Sequence, residues 1–320
     1  MRRVLVLGNA CVDLLLRVPR LPHPGETLMA EERARAPGGK GLNQAVVAAR
    51  AGAAVSFRAP IGDDPDGRLV AEILTGEGFA SLELLRVSHA TDVSVILVGL
   101  DGENSIVSAG SCADALSVSD AESFAQGAVA GDLLLLQGSL SEAATLAAAG
   151  SAVARGVQVV LNMAPLRWPA ARVLPHCAVA VANEGEAIAS TGCGSAGEAA
   201  LRLCTLGAAV GIVTLGAAGC LCADPTGVRF FPAASSVRVA DTTGAGDTFC
   251  GVLAAALACG IAVPDAISAS QQAAALTVER LGAFSALPRS EELTLLFAGR
   301  WRPGASKSAQ DAKQDTSTPR

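Results

Sequence analysis

Tyrosine is absent from this 320-residue sequence, and the eight Phe and two Trp bring the aromatic share to only 3%. Proteins that hold single-stranded nucleic acid stack its bases on aromatic side chains beside a basic groove. Neither is available here. Charged residues make up only 17%, the formal net charge is -6, and no Lys/Arg run or basic stripe occurs. Such a chain has no field to attract a phosphate backbone, which excludes nucleic acid as a partner.

Long apolar runs are missing too. The longest, residues 251–263, falls short of the roughly 20 residues a bilayer-spanning helix needs, so no membrane partner is expected. At the N-terminus Arg2-Arg3 precede an apolar run at 4–7, but the run breaks at Gly8-Asn9 with no cleavage site. It reads as a buried strand rather than a signal peptide, which implies a cytoplasmic protein. The nine Cys are odd in number and scattered, and Cys220 and Cys222 stand one residue apart. That spacing suits neither a redox CxxC nor a zinc knuckle, so reduced thiols packed like Ala are expected.

What remains is a chain that is 51% hydrophobic, a composition suited to helices packed over a buried sheet. Short Val/Leu/Ile runs at 4–7, 133–136, 157–161, 179–181 and 211–214 read as strands covered on both faces. Ala-rich helical stretches at 44–51, 141–154 and 198–206 lie between them. This alternation predicts an α/β fold: a doubly wound, mostly parallel sheet flanked by helices and built from right-handed crossovers. Two segments break the pattern. Residues 18–35 are rich in Pro and polar side chains, while 92–109 alternates and carries the hairpin signal Asp101-Gly102. Both are expected to form strands outside the main sheet, at roughly 15–36 and 91–110, making a small β lid on a domain spanning 1–302. The polar tail at 303–320 is expected to be disordered.

Two motifs carry chemistry. In Asp241-Thr242-Thr243-Gly244-Ala245-Gly246-Asp247-Thr248-Phe249 the glycines let the backbone turn its N–H groups toward one point. The helical run that follows adds its positive end, which makes an anion hole. A lone Asp there is often an N-cap. Beside an anion site, however, a second negative charge is useful only if it takes a proton during reaction, which marks Asp247 as a general base. The second motif, Pro37-Gly38-Gly39-Lys40-Gly41-Leu42-Asn43-Gln44, is neither a Walker A loop nor a dinucleotide fingerprint. Its glycines allow a polyhydroxylated ligand close to the backbone, with Lys40 and Asn43 free to hydrogen-bond. As a bare sequence it is equally compatible with a flexible loop.

Together, and at this separation, the two motifs resemble the PfkB carbohydrate kinases, most closely their ribokinase branch, over residues 4–297. The resemblance implies that Asp247 deprotonates a sugar hydroxyl while Gly244, Ala245 and Gly246 stabilise the transferring phosphoryl group. It implies that Asp13, Gly38, Gly39, Lys40 and Asn43 bind the sugar. Asn183-Glu184-Gly185-Glu186 resembles the family's Asn-x-x-Glu element, with Asn183 near ATP and Glu186 organising water-bound Mg²⁺, although such a tetrapeptide also starts a helix well. Thr214, Gly216 and Gly219 match its nucleotide loop, and Gln271 falls where it places a polar residue near the nucleotide. Asp241, Thr243, Thr277, Arg280 and Gly282 match positions that hold K⁺. A homodimer formed through the lid is implied as well.

The chain also departs from the pattern. Cys11 stands where ribokinases commonly carry Asn, and Asn9 lies two residues earlier. A strand-end Glu is missing from Leu136-Gln137-Gly138-Ser139, leaving Gln137 as the nearest polar substitute for a sugar contact, and Ala286 replaces a Ser of the cation site. The expected reaction is transfer of the ATP γ-phosphoryl group to a primary hydroxyl of a pentose-like sugar. The alternatives are a nucleoside kinase of the same fold, which the low aromatic content disfavours, and a catalytically silent sugar-binding regulator. A dinucleotide oxidoreductase is excluded because no G-x-G-x-x-G follows the first strand.

Overall fold

The computed structural model describes residues 2–100, 104–165, 167–234 and 238–297. In chain order its elements are β1 (Arg3–Leu7), β2 (Cys11–Arg17), β3 (Glu31–Gly38), α1 (Lys40–Arg50), β4 (Ala54–Gly62), α2 (Pro65–Leu74), β5 (Ser81–Val87), β6 (Asp92–Val98) and β7 (Asn104–Ser108). There follow α3 (Ser111–Asp114), α4 (Val118–Gln126), β8 (Leu133–Gln137), α5 (Glu142–Ala154), β9 (Gln158–Asn162), β10 (Val179–Asn183), α6 (Glu184–Thr191), α7 (Ala196–Thr205) and β11 (Val210–Thr214). The chain closes with β12 (Gly219–Asp224), β13 (Gly227–Pro232), α8 (Ala245–Ala258), α9 (Val263–Val278) and α10 (Ser290–Phe297).

Each apolar run becomes a strand of one nine-stranded sheet, ordered β13-β12-β11-β10-β9-β8-β1-β4-β5. It is parallel from β5 to β11 and turns antiparallel at β12 and β13. The central strands carry no polar alternation because helices cover both faces. Successive side chains therefore part to opposite sides. Val4 and Val6 of β1, with Leu133 and Leu135 of β8, pack under α1, α8 and α9. Leu5 and Leu7, with Leu134 and Leu136, pack under α4, α5 and α7.

From β1 the chain reaches β4 and β5 on one side and only later β8 and β9 on the other. The strand order thus reverses between β1 and β8, and a crevice outside the carboxyl ends of strands at such a point is where open α/β sheets bind ligands.

The second sheet is small, ordered β3-β2-β6-β7. It differs from the expected lid at one segment: β2 already starts at Cys11, and residues 18–30 carry no strand. The Pro-rich stretch is a connection, since Pro cannot donate to a ladder, and the strand hydrogen bonds go to the Cys11–Arg17 segment instead. The other expected segment forms β6 and β7, paired antiparallel with Val98 opposite Asn104. The Asp101-Gly102 turn and the 303–320 tail lie outside the described residues. None of the nine Cys is in a disulfide, and six of them are buried. Among the described residues, no helix is long and apolar enough to cross a membrane.

Candidate active site

A cavity of about 580 Å³ opens at this switch point, between the ends of the main strands and the small sheet. Its floor begins at Asn9, just past β1. The Asn9 carbonyl accepts from the Leu42 N–H at 3.0 Å, and its Oδ1 accepts from the Gly41 N–H at 3.2 Å. These bonds seat the start of α1 against β1. A Cβ on Gly41 would lie 2.7 Å from the Asn9 nitrogen and from the Gly8 Cα, so only glycine permits the approach. Gly39 is the N-cap of α1, with φ of 100°, a conformation that strains any other residue.

The helix start so placed brings Lys40 and Asn43 to the cavity wall, opposite Asp13 of β2. Gly38 does not line the cavity; it makes room for the Asp13 carboxyl, whose atoms lie 2.2–2.4 Å from where a Cβ would stand. Burial pushes the Asp13 carboxyl up to about 6. Hydrogen bonds from Cys11 and Ser94 and the charge of Lys40 pull it down, while the charge of Asp247 adds to the rise. Cys11 takes the place expected of a hydroxyl partner, its Sγ lying 3.5 Å from Asp13 Oδ1 and 3.6 Å from Ser94 Oγ. Ser94 Oγ in turn lies 2.8 Å from Ser108 Oγ, so the small sheet supplies a short hydroxyl chain to this end.

At the other end, α8 starts at Gly244, with φ of 82° and no side-chain cap. Thr243, Gly244 and Asp247 line the cavity from this turn, while Ala245 and Gly246 do not, and the first-turn N–H groups of an uncapped helix are left without intrahelical partners. Asp247 lies three residues beyond Gly244 and is not the N-cap. Its carboxylate is buried, at 7% exposure, and accepts from Asn43 Nδ2 and Gln44 Nε2, each at 3.0 Å. One carboxylate of low exposure thus opens into the same cavity as Asp13, with two amides oriented on it.

Behind this turn, Asp241 clasps two loops. Its Oδ1 accepts from the Thr243 N–H at 2.9 Å and the Thr243 hydroxyl at 2.7 Å, and its Oδ2 from the Gly282 N–H at 2.9 Å. The backbone N–H of Asp241 reaches the Val278 carbonyl. The Thr277 hydroxyl meets that of Thr248 at 2.8 Å, and the Arg280 side chain turns away to pair with Glu292. Arg280 therefore offers only its backbone to a cation.

Two expected contacts have other roles. Gln137 does not line the cavity: as the residue after Leu136 it shares the face of Leu133 and Leu135, toward α1. It is fully buried there and donates to Gln44 Oε1 at 3.0 Å. Gln271 donates to the Phe231 carbonyl at 3.0 Å, anchoring edge strand β13 to α9. Its amide nitrogen is therefore engaged within the fold, on a partly buried side chain.

The remaining residues lie at the carboxyl ends of β10 and β11. Asn183 and Glu186 form a complete capping box on α6, with Asn183 Oδ1 accepting from the Glu186 N–H at 2.8 Å. Thr214 ends β11, and Gly216 and Gly219 adopt positive φ in the turn to β12. A Cβ on Gly219 would fall 2.1 Å from the Phe231 carbonyl oxygen.

Sequence reasoning missed three participants. Gln44 stands inside the Gly-rich motif but drew no role, and its signal was available in the motif itself. Asn9 was noted only as a displaced Asn. Arg167 lines the cavity from the loop after β9, donating to the Ser139 carbonyl and to Asp114 Oδ2, both at 2.6 Å. An isolated loop Arg gives no signal in one sequence.

A buried carboxylate, an uncapped helix start and a polar cleft under a small sheet suit a phosphoryl-transfer enzyme of the sugar-kinase class. The family model of pfkB family carbohydrate kinases matches residues 1–289, and the chain belongs to that family. It is 36% identical to the ribokinase of Haemophilus influenzae over 93% of this chain and 99% of that protein. It is 33% identical to the mouse ribokinase over 91% and 94%. Among solved structures, Thermotoga maritima ribokinase superposes with a TM-score of 0.84 at 30% identity, covering 93% of this chain and 99% of the other. Arabidopsis thaliana ribokinase, solved with ribose and ATP, gives 0.82 at 27% identity over 93% and 99%.

Proposed function

We propose that this chain is a ribokinase-type enzyme that transfers the γ-phosphoryl group of ATP to the primary hydroxyl of a pentose-like sugar. The observation that carries the reading is the Asp247 carboxylate, buried beside the uncapped start of α8 and facing Asp13 across one cavity. Asp13 accepts hydrogen bonds from sugar hydroxyls, with Lys40 and Asn43 beside it, and Gly39 lets the sugar lie close to the backbone. Asp247 takes the proton of the attacking hydroxyl. The N–H groups of Gly244, Ala245 and Gly246 face the charge that develops on the transferring phosphoryl group.

The nucleotide enters over the turn at Thr214, Gly216 and Gly219, with Asn183 alongside. Among the described residues, no three His, Cys, Asp or Glu side chains converge on one point. That donor set suits Mg²⁺ carried in on the phosphates through water, with Glu186 as the outer carboxylate, and not a protein cage. The Asp241 clasp, which joins the loops at Thr243 and Gly282, suits a K⁺ bound behind the anion hole by backbone carbonyls of Asp241, Thr243, Thr277 and Arg280. When bound, the two ions supply charge neutralisation at the phosphates and order in the Gly-rich turn.

Residues 1–302 act as one kinase domain whose small sheet serves as the lid, since Ser94, Ile96, Ile106 and Ser108 line the cavity from above. The exposed Met29, Leu100 and Val107 on and around that sheet support a homodimer through the lid. Six buried cysteines outside any disulfide support a cytoplasmic setting.

A panel of sugars and nucleosides with ATP, read by ADP release, tests the function. Sugar-dependent release with a pentose is the expected result. Sugar binding without release would make the protein a silent regulator, and release with nucleosides alone would move it to the nucleoside kinases.

A further inference from the structure

The buried amides behind Asp247 form a continuous chain that neither the anion hole nor the sugar contacts explain. Gln137 Nε2 donates to Gln44 Oε1 at 3.0 Å, and Gln44 Nε2 donates to Asp247 Oδ1 at 3.0 Å. Both glutamines are at 0% exposure, and neither lines the cavity. Burying two neutral amides in an apolar layer is unfavourable unless they are hydrogen-bonded. Gln137 Oε1 has no partner even so.

The surrounding backbone is shaped to admit this chain. A Cβ on Gly8 would stand 2.1 Å from Gln137 Oε1, so the end of β1 leaves space for that amide. A Cβ on Gly251 would stand 2.7 Å from the Gln44 carbonyl oxygen and 2.8 Å from Val47 Cβ, so α8 leaves space for α1. The close helix contact this allows brings Gln44 within reach of the carboxylate.

The direction of the chain is determined by the partners. A carboxylate only accepts. Gln44 must therefore present its NH₂ to Asp247, which turns its carbonyl toward Gln137, and Gln137 must answer with its own NH₂. Flipping either amide would set two oxygens against each other. Asn43 differs, because it lines the cavity and is free to exchange Asp247 Oδ2 for a sugar hydroxyl.

Resting on the assignment of Asp247 as the base, we propose that Gln44 is a positioning residue for it, held in its productive amide orientation by Gln137. When a substrate draws Asn43 away, Gln44 keeps one carboxylate oxygen anchored and leaves the other aimed at the attacking hydroxyl.

The test is Gln44→Met, similar in volume but without donor or acceptor, with Gln137→Leu as the second variant. For Gln44→Met we expect kcat to fall roughly 10- to 100-fold, the scale of misplacing a reacting group by about 1 Å. KM for sugar and for ATP should change less than about threefold, since neither glutamine touches the cavity. Gln137→Leu should fall in the same direction by a smaller factor, and it decides the matter if Gln44→Met does not fold. Crystal structures of the ligand-free variants supply a readout that needs no substrate. The Asp247 carboxylate should turn or lose order while the α1 and α8 backbones stay in place. Wild-type kcat in a folded Gln44→Met, or an Asp247 carboxylate unmoved in its crystal structure, overturns the proposal. If wild-type protein phosphorylates nothing, the kinase reading fails, and the carboxylate position alone still decides for or against the relay.

Discussion

The α8 end of the cavity holds Gly244 in a positive-φ turn, an uncapped helix start, Asp247 in its first turn, and Asp241 clasping the loops behind. At the β2 end the polar groups come from several separate elements. Cys11 stands beside Asp13, Ser94 and Ser108 approach from the small sheet, Gln137 is turned inward, and Arg167 lines the wall above Ser139. The difference follows from what each end must meet. Phosphoryl charge is the same in every reaction of this kind and demands one geometry of N–H groups and one base. A sugar edge is recognised by exchangeable donors and acceptors on several elements, so that end can change while the chemistry stays.

The largest effect should come from the constant end. In Asp247→Asn the amide preserves shape and loses the proton acceptor, so turnover should fall by about 10² to 10⁴ while ATP binding persists in calorimetry. A folded variant with more than a tenth of wild-type turnover would remove Asp247 from the role of base.

At the variable end, Asp13→Asn should lower kcat/KM for the sugar by roughly 10- to 100-fold, through one lost charge-assisted hydrogen bond or two. It should also stabilise the ligand-free protein. The Asp13 carboxyl is raised from 3.8 to about 6, so the folded state binds its proton more tightly than the unfolded state does. Above pH 6 the group is ionised in both states and its burial opposes folding. That penalty fades as pH falls through 6 and is gone below about 4, where both states are protonated. Denaturant unfolding at pH 7 should therefore show the variant more stable by about 1–3 kcal/mol, with the gain absent near pH 4. A variant no more stable at pH 7 would mean that Asp13 is not held at a cost.

The smallest effect distinguishes sugars. Cys is a weak hydroxyl partner, so Cys11→Asn should raise kcat/KM for ribose severalfold relative to other pentoses. That corresponds to about 1 kcal/mol for one added hydrogen bond, and a substrate panel measures it. Gln137→Glu should give no such gain, because that side chain faces Gln44 and not the sugar. A strong existing preference for ribose that Cys11→Asn impairs would show that this end already meets the ribose hydroxyls by another route.

Much of this architecture was legible in the chain itself. The apolar runs at 4–7 and 133–136 announced parallel strands buried on both faces, because a covered strand has no need of polar alternation. The Gly244 to Asp247 turn announced a glycine-led helix start, because backbone freedom and a helix start are local properties of a short segment. Strand β2 was harder to see. Cys11–Arg17 mixes Asp13 and Arg17 into an apolar run, and only its pairing with β3 and β6 makes it a strand. Orientation was decided at the level of tertiary structure. One step along β8 turns Gln137 to the α1 side of the sheet and away from the sugar. A glycine at 251 lets α1 approach α8 closely enough for Gln44 to reach a carboxylate 203 residues further along the chain. A loop brings Arg167 to a wall that β8 begins. Local sequence specifies which groups a segment offers, since backbone freedom and side-chain chemistry travel with the residues. Which of those groups meet depends on strand parity and helix approach, and these exist only once distant segments have packed.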